Sequence, residues 1–364
     1  MPKIFAMDIG AGTADILYFD SGKVFENNIK LIVPTSASVV AGRVKALEED
    51  VSFSGSTIGG GPFASAVMKQ LKKGYRVRMT RAAAFSIRNN IAEVKEKGIE
   101  IGGRIPGACF TLEELNLKRY DRLLEYSGES LKGADALCIA LQDHGAAPYG
   151  VSDREFRFDN YVEGFKDGRS LERLAYLNGN IPKKFLRMRS AYKSARSFAP
   201  EGAILIMDTA PAAILGAMAD LPPGNRDKPV VFINFGNIHT LVTCIKSGEV
   251  LSIFEHHTHL IKLDMPKFKN MLSRMLEGTL PREEVFEDRG NGALTYEKVN
   301  FRDVARIVVT GPNRRLASAL ALPVHYAAPG GDMMITGPIG LICAAYTGFR
   351  LGGREDIQNA LLCL

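Results

Sequence analysis

Cysteine is scarce and scattered. The 364 residues carry five, at Cys109, Cys138, Cys244, Cys343 and Cys363, and no two stand close enough to form a CxxC pair. That spacing points to reduced, mostly buried thiols rather than a disulfide framework. It also excludes the CxxxCxxC run with which a radical enzyme holds its iron–sulfur cluster. No apolar run approaches the roughly 20 residues of a membrane helix. Met1-Pro2-Lys3 leads into a strand pattern without the features of a signal peptide. The expectation is a cytoplasmic protein without a membrane partner. Charge of one sign is not in large excess: 46 Lys and Arg oppose 40 Asp and Glu, a net of +6. Such a balance suits an anionic small ligand or an acidic partner, and does not by itself argue for nucleic acid.

What is present is enough for two cores. Domains run to roughly 100–200 residues, so a chain of this length suggests two, and 46% hydrophobic residues supply them without a structural metal. The organisation is a repeat. Residues 4–24, from Ile4 to Val24, align without a gap on residues 230–250 at a constant offset. Gly10 meets Gly236, Ser21 meets Ser247, Gly22 meets Gly248, Val24 meets Val250, and Asp8 meets Asn234. Each copy reads as a buried strand, a glycine turn, a second strand, a Ser-Gly turn and a third strand. Two such meanders imply two related lobes, 1–226 and 227–364. The first lobe carries insert-like stretches at about 30–130 and 151–198.

Other elements fill in around the meanders. A buried strand lies within residues 133–142, a second at 203–207, and a third at 305–311. An alanine-rich helix runs from Ala210 to Ala219, with Pro211 near its first turn, where proline is tolerated. Residues 221–225 close that helix and cross into the second lobe. Leu263 to Glu277 reads as an amphipathic helix, and Gly337 to Gly348 as a helix of small residues.

The sharpest motif is Asp8-Ile9-Gly10-Ala11-Gly12-Thr13. A strand delivers a carboxylate to its carboxyl end, and the glycines let backbone N–H groups turn toward one point, a nest that attracts phosphate oxygens. Thr13 adds a hydroxyl donor. Asp8 could hold Mg²⁺ through water, because Mg²⁺ keeps much of its hydration shell. Gly236 in the second copy permits the same close approach of phosphate.

With these motifs in place, the chain resembles the actin-like ATPase superfamily of actin, heat-shock chaperones and sugar kinases. Residues 8–13 look like its first phosphate loop and residues 234–240 like its second. Asp208 with residues 210–216 resembles the first connecting helix. Residues 308–314 resemble the adenosine motif, and residues 337–345 the second connecting helix. The resemblance covers the two ends of the chain and not the inserts. It implies an α/β fold: a two-lobed, ribonuclease H-like arrangement of duplicated mixed-sheet domains with a nucleotide cleft between them. It implies ATP and Mg²⁺ as cofactors, with Asp8 and Asn234 toward the metal. Gly10, Ala11, Gly12, Thr13, Gly236 and Asn237 would surround the phosphates, and Thr310, Gly311, Asn313 and Arg314 the base and ribose. Asp208 would be the general base or the residue that orients a water; a helix N-cap is the competing reading. Arg314 either stacks on adenine or is a solvated helix-start arginine. The two small-residue helices would cross closely at an inter-lobe hinge, residues 337–348 forming the second of them. Asn234 departs from the family, where aspartate is common, and His239 fills a turn position usually small. Within the superfamily the chain is similar to a prokaryotic branch sometimes labelled as related to pyruvate formate-lyase activating enzyme; the cysteine spacing does not support the radical chemistry of that label.

Several features stay open. His256, His257 and His259 with Asp264 form either a metal site or an exposed strand end or substrate contact. Asp143-His144-Gly145 ends a central strand, where ligands gather in open α/β sheets, and reads either as the acceptor side of the cleft or as loop. Gly59-Gly60-Gly61 before a helix is an anion site or a flexible loop. Lys183, Lys184, Arg187, Arg189, Lys193 and Arg196 bind phosphate or nucleic acid or form a solvated face. The function expected is an ATP-dependent phosphotransferase or ATPase of unknown acceptor. The alternatives are a nucleotide-gated protein that closes on a partner protein with slow turnover, and a scaffold without nucleotide.

Overall fold

The computed structural model describes residues 1–148, 150–222 and 227–351. The strands in chain order are β1 (Lys3–Ile9), β2 (Thr13–Asp20), β3 (Ile29–Pro34), β4 (Val51–Gly55), β5 (Val77–Thr80), β6 (Ile99–Gly102), β7 (Phe110–Leu112) and β8 (Ala136–Leu141). They continue with β9 (Ala175–Leu177), β10 (Ala203–Met207), β11 (Val230–Phe235), β12 (His239–Lys246), β13 (Glu249–His257), β14 (Gly292–Thr295), β15 (Arg306–Thr310) and β16 (His325–Tyr326). One sheet runs β3-β2-β1-β8-β10-β9 and another β14-β13-β12-β11-β15-β16. In both, an antiparallel meander continues into parallel strands: β8 beside β1 and β10 beside β8, then β15 beside β11 and β16 beside β15. The chain therefore has the two-lobed, ribonuclease H-like actin-like ATPase fold. β8 reads as an unbroken apolar run, and β1 and β11 as apolar runs interrupted near their carboxyl ends by Asp8 and Asn234, because both faces of these central strands are covered.

Between the sheets lie the helices Thr209–Ala219 and Thr336–Phe349. Both are apolar all round, and they share one core with Ile4 and Leu205 of the first sheet and Phe232 and Val308 of the second. Small residues set their crossing. A Cβ on Gly216 would lie 1.8 Å from the carbonyl oxygen of Thr336, and one on Gly340 would lie 1.8 Å from that of Ala212. Among the described residues, no helix is long and apolar enough to cross a membrane.

Several local expectations change. By the repeat, the third strand of the first copy begins near Val24. Residues Phe25–Asn27 instead form a 3-10 turn and β3 starts at Ile29, because Phe25 plugs the core and Asn28 Oδ1 accepts the Asp20 amide. The helix expected over residues 263–277 is observed over Met265–Glu277, preceded by a separate short helix, Thr258–Leu263. Asp264 leaves helical dihedrals and caps the Lys267 amide, with Pro266 in the following first turn. The segment at 30–130 contains its own parallel sheet, β6-β5-β4-β7, and β9 within 151–198 joins the first large sheet. The lobe boundary at 226–227 adjoins residues 223–226, which lie outside the described residues, as do Pro223, Gly224 and Asn225 of the expected crossing and Cys363.

Candidate functional site: a cavity between the duplicated turns

The turn between β1 and β2 and its counterpart between β11 and β12 open onto one cavity of about 460 Å³. Asp8, Gly10, Ala11 and Thr13 line it from one side; Asn234, Gly236 and Asn237 line it from the other, with Thr310 and Gly311 beyond them. Register explains the pairing of polar groups. Asp8 stands directly opposite Asp15 on β2, and Asn234 opposite Thr310 on β15. The turns are sterically exacting. The Gly10 amide donates to Thr13 O and the Gly236 amide to His239 O; a Cβ on Gly236 would sit 2.5 Å from that oxygen. Gly311 has a φ of +92° and passes 2.5 Å, measured from its would-be Cβ, from Asn234 Oδ1, so both a left-handed backbone and a missing side chain are required.

Asp8 is the centre of the acidic side. Burial pushes its pKa up to about 8; the Thr209 hydroxyl opposes the shift, and the nearby Asp15 carboxylate adds to it. Burial likewise raises Asp15 to about 6. Asp8 Oδ1 and Asp15 Oδ1 are both buried without a hydrogen-bond partner. Two facing carboxylates with orphaned oxygens are the donor set expected of a site completed by a divalent ion, which needs only one or two carboxylates when waters and phosphates supply the rest. The N-terminus of the Thr336–Phe349 helix closes over Asp8: a Cβ on Gly337 would lie 2.0 Å from Asp8 Oδ2.

Four of the residues expected at the site stand off the cavity wall. Gly12 is exposed, and its carbonyl accepts from Thr35 N and Ser38 Oγ. Asn313 donates from Nδ2 to Gly236 O and so ties the second turn to the end of β15. Arg314 folds back toward Gly311 O. Asp208 is the N-cap of the Thr209–Ala219 helix through Ala210 N, and its two oxygens are gripped by Arg157 at 2.9 and 3.2 Å. Burial raises the Asp208 pKa, but the Arg157 charge and hydrogen bonds outweigh it, and the net shift is downward. Arg157 reaches onward to Glu255 on β13, whose carboxylate also receives Tyr161 Oη and Asn291 Nδ2. This fully buried group joins the first sheet to the second.

The residues read as ambiguous resolve individually. Gly59, Gly60 and Gly61 line the cavity at the N-terminus of the helix Gly61–Lys72, and His144 and Asp143 line it at the end of β8. Asp143 caps the helix Leu186–Phe198 by accepting the Arg187 and Met188 amides. The basic run is divided: Arg187 lies against the cavity in a bidentate pair with Glu114, Arg189 bonds Ile181 O, and Arg196 bonds carbonyls beyond its helix. His256 pairs with Asp288, and no group of three metal-ligating side chains gathers among the described residues. Sequence reasoning missed Asp15 and Arg157. Alternation along β2 and its register with β1 could have found the first; nothing local could have found the second, which reaches the site from a segment unlike the rest.

No protein of curated function matches the chain in sequence. Among solved structures it is similar to the apo psk41 ParM protein, at 11% identity over 96% of this chain and 98% of that one, with a TM-score of 0.36. It is similar at 13% identity to an inorganic polyphosphate/ATP-glucomannokinase from Arthrobacter sp. strain KM, over 95% and 100% of the two chains, with a TM-score of 0.36. It is similar at 10% to a chain of a PilM–PilN type IV pilus biogenesis complex, over 93% and 97%, with a TM-score of 0.35. Residues 58–316 match the family described as putative pyruvate format-lyase activating enzyme (DUF1786), and the chain belongs to that family.

Proposed function

We propose that the cavity binds Mg-ATP and that the protein transfers or hydrolyses its terminal phosphoryl group. The observation that carries this reading is the convergence of both glycine turns on one cavity that also contains two orphaned carboxylate oxygens, on Asp8 and Asp15. Gly10, Ala11, Thr13, Gly236 and Asn237 surround the phosphates, and Gly311 admits the nucleoside at the end of β15. Asp8 and Asn234 accept from the metal's water shell. Mg²⁺, when bound, supplies neutralisation of the phosphate charge, the main requirement of phosphoryl transfer. The chain's own part is to hold that charge in place and exclude water. The activity in the family's description does not enter the proposal, since the four described cysteines lie apart, in the bend before β7, in β8, in β12 and in the Thr336–Phe349 helix, and no three of them gather among the described residues.

One observation favours slow turnover coupled to a partner protein. Asp208, where a base would stand, is locked to Arg157, and through it to Glu255 of the other sheet. Titration calorimetry with Mg-ATP and a phosphate-release assay test both readings. No binding removes both. If Asp208 takes a proton, D208N lowers turnover by about a hundredfold or more; if it is a structural anchor, D208N lowers stability and leaves turnover within a few-fold.

A further inference from the structure

The cavity has two chemically opposite walls. Asp8 and Asp15 stand at one. At the other, Gly60, Gly61 and Pro62 line the cavity at the N-terminus of the Gly61–Lys72 helix, which has no side-chain cap and no acidic residue in its first turn. This helix follows β4, the strand from which the small parallel sheet departs in both directions: β5 pairs on one side and β7 on the other. The crevice at such a switch point, beyond the carboxyl ends of the strands, is where open α/β sheets take ligands. The wall continues without a break. A Cβ on Gly59 would meet Arg187 Nη2 at 2.9 Å. Arg187 Nη1 donates to Gln142 O, and Gln142 Nε2 donates to His239 Nδ1 at 2.6 Å.

His239 supplies the independent signal. It is 6% exposed, lines the cavity, and is packed between the rings of His144 and His257 at 5.3 and 4.6 Å. Because Gln142 donates to Nδ1, that nitrogen is the acceptor and Nε2 carries the hydrogen. His239 Nε2 is buried with no partner. A buried N–H without an acceptor is unfavourable, and a ligand oxygen would relieve that cost. Burial first, then the neighbouring Arg157 and His257 charges, keeps the ring far below its ordinary pKa, so it is a neutral donor. Arg187 spends three of its N–H groups on Glu114 and Gln142 and keeps one on each terminal nitrogen. Asp143, the acidic residue on this wall, has both oxygens committed to backbone amides. Asp153 stands exposed at the rim, beside Arg88.

The geometry points to a second ligand site on this wall: His239 Nε2–H, Arg187 and the amides at Gly60 and Gly61 bind the anionic group, phosphate or carboxylate, of a small acceptor. The inference rests on the nucleotide reading for calling that ligand an acceptor; the anion site itself can be tested without it.

The experiment uses the whole chain. Inorganic phosphate, and malonate in a parallel arm, are titrated calorimetrically into protein saturated with Mg²⁺ and β,γ-imido-ATP, so that all three nucleotide phosphate positions are filled. One further equivalent should bind, and the stronger arm identifies the acceptor's anion. H239N should weaken it by about tenfold to a hundredfold, the worth of a hydrogen bond to a charged group. H239Q, which restores a donor near Nε2, should recover most of the loss, and R88Q at the rim should weaken it less. Nucleotide affinity should change by less than about threefold in all three variants. The inference is overturned if neither anion binds the saturated protein, if H239N binds the anion like the unaltered chain, or if H239N loses anion and nucleotide together. Should the unaltered chain bind no nucleotide, the reading under Proposed function fails; the same titrations on nucleotide-free protein then decide the anion site alone.

Discussion

When Mg-nucleotide enters the cavity near neutral pH, the protein should release a proton. Burial pushes the Asp8 pKa up to about 8, so at pH 7 about nine-tenths of the molecules hold it protonated. A divalent cation beside a carboxylate favours its charged form strongly. Binding at pH 7 should therefore expel about one proton, most of it from Asp8 and about a tenth from Asp15, which titrates near 6. Affinity for Mg-nucleotide should rise by up to about tenfold per pH unit below 8 and level off above it. The stability of the nucleotide-free protein should move the other way. The folded carboxyl binds its proton more tightly than the unfolded one, so the folded state holds more protons between about pH 4 and 8, and stability falls as pH rises through that window. At about 1.36 kcal/mol per unit the Asp8 contribution has a ceiling of about 5 kcal/mol. Calorimetry in buffers of different ionisation enthalpy measures the proton count, and urea melts from pH 5 to 9 measure the stability arm. D8N should remove the dependences between about pH 6 and 8, leaving the smaller Asp15 part below about pH 6, raise stability above pH 8, and lose Mg²⁺-dependent binding. Proton release below about 0.2 per site at pH 7, or an unchanged profile in D8N, would refute the assignment of Asp8 as a protonated, cation-accepting group.

Three further outcomes follow from the packing. G340A places a methyl 1.8 Å from Ala212 O and should force the two central helices apart, costing about 3 kcal/mol or more by overpacking in denaturant titrations; a loss under about 1 kcal/mol would contradict the crossing. R157M leaves the buried carboxylates of Asp208 and Glu255 without their shared cation and should destabilise by about 3–5 kcal/mol, whereas changing Arg157, Asp208 and Glu255 together to apolar residues should recover much of it. G337A puts a Cβ 2.0 Å from Asp8 Oδ2 and should weaken Mg-nucleotide binding by about tenfold or more through displacement of that carboxylate, with binding of nucleotide in EDTA changed much less.

The duplicated turns were legible in the chain because a tight turn after a strand needs glycine at fixed offsets, and that requirement is local. Gly10 and Gly236 declare themselves by spacing, and Ala212, Gly216 and Gly340 declare a close helix crossing by size alone. The pairing of β1 with β2 and of β11 with β12 follows from those local patterns once the two copies are recognised. What the chain could not declare is which distant groups meet. Whether Asp208 is a free base or an anchored one depends on Arg157, 51 residues earlier, in a segment with no counterpart in the second copy. Asp15 matters only because antiparallel register sets it against Asp8. His239 looks like an oversized turn residue until Gln142, 97 residues away, fixes its tautomer. Local propensity and glycine stereochemistry act within a few residues and are therefore written in the sequence; burial, charge pairing and orphaned hydrogen-bonding groups exist only after the sheets close around the cavity, and they alone decided which of these side chains could do chemistry.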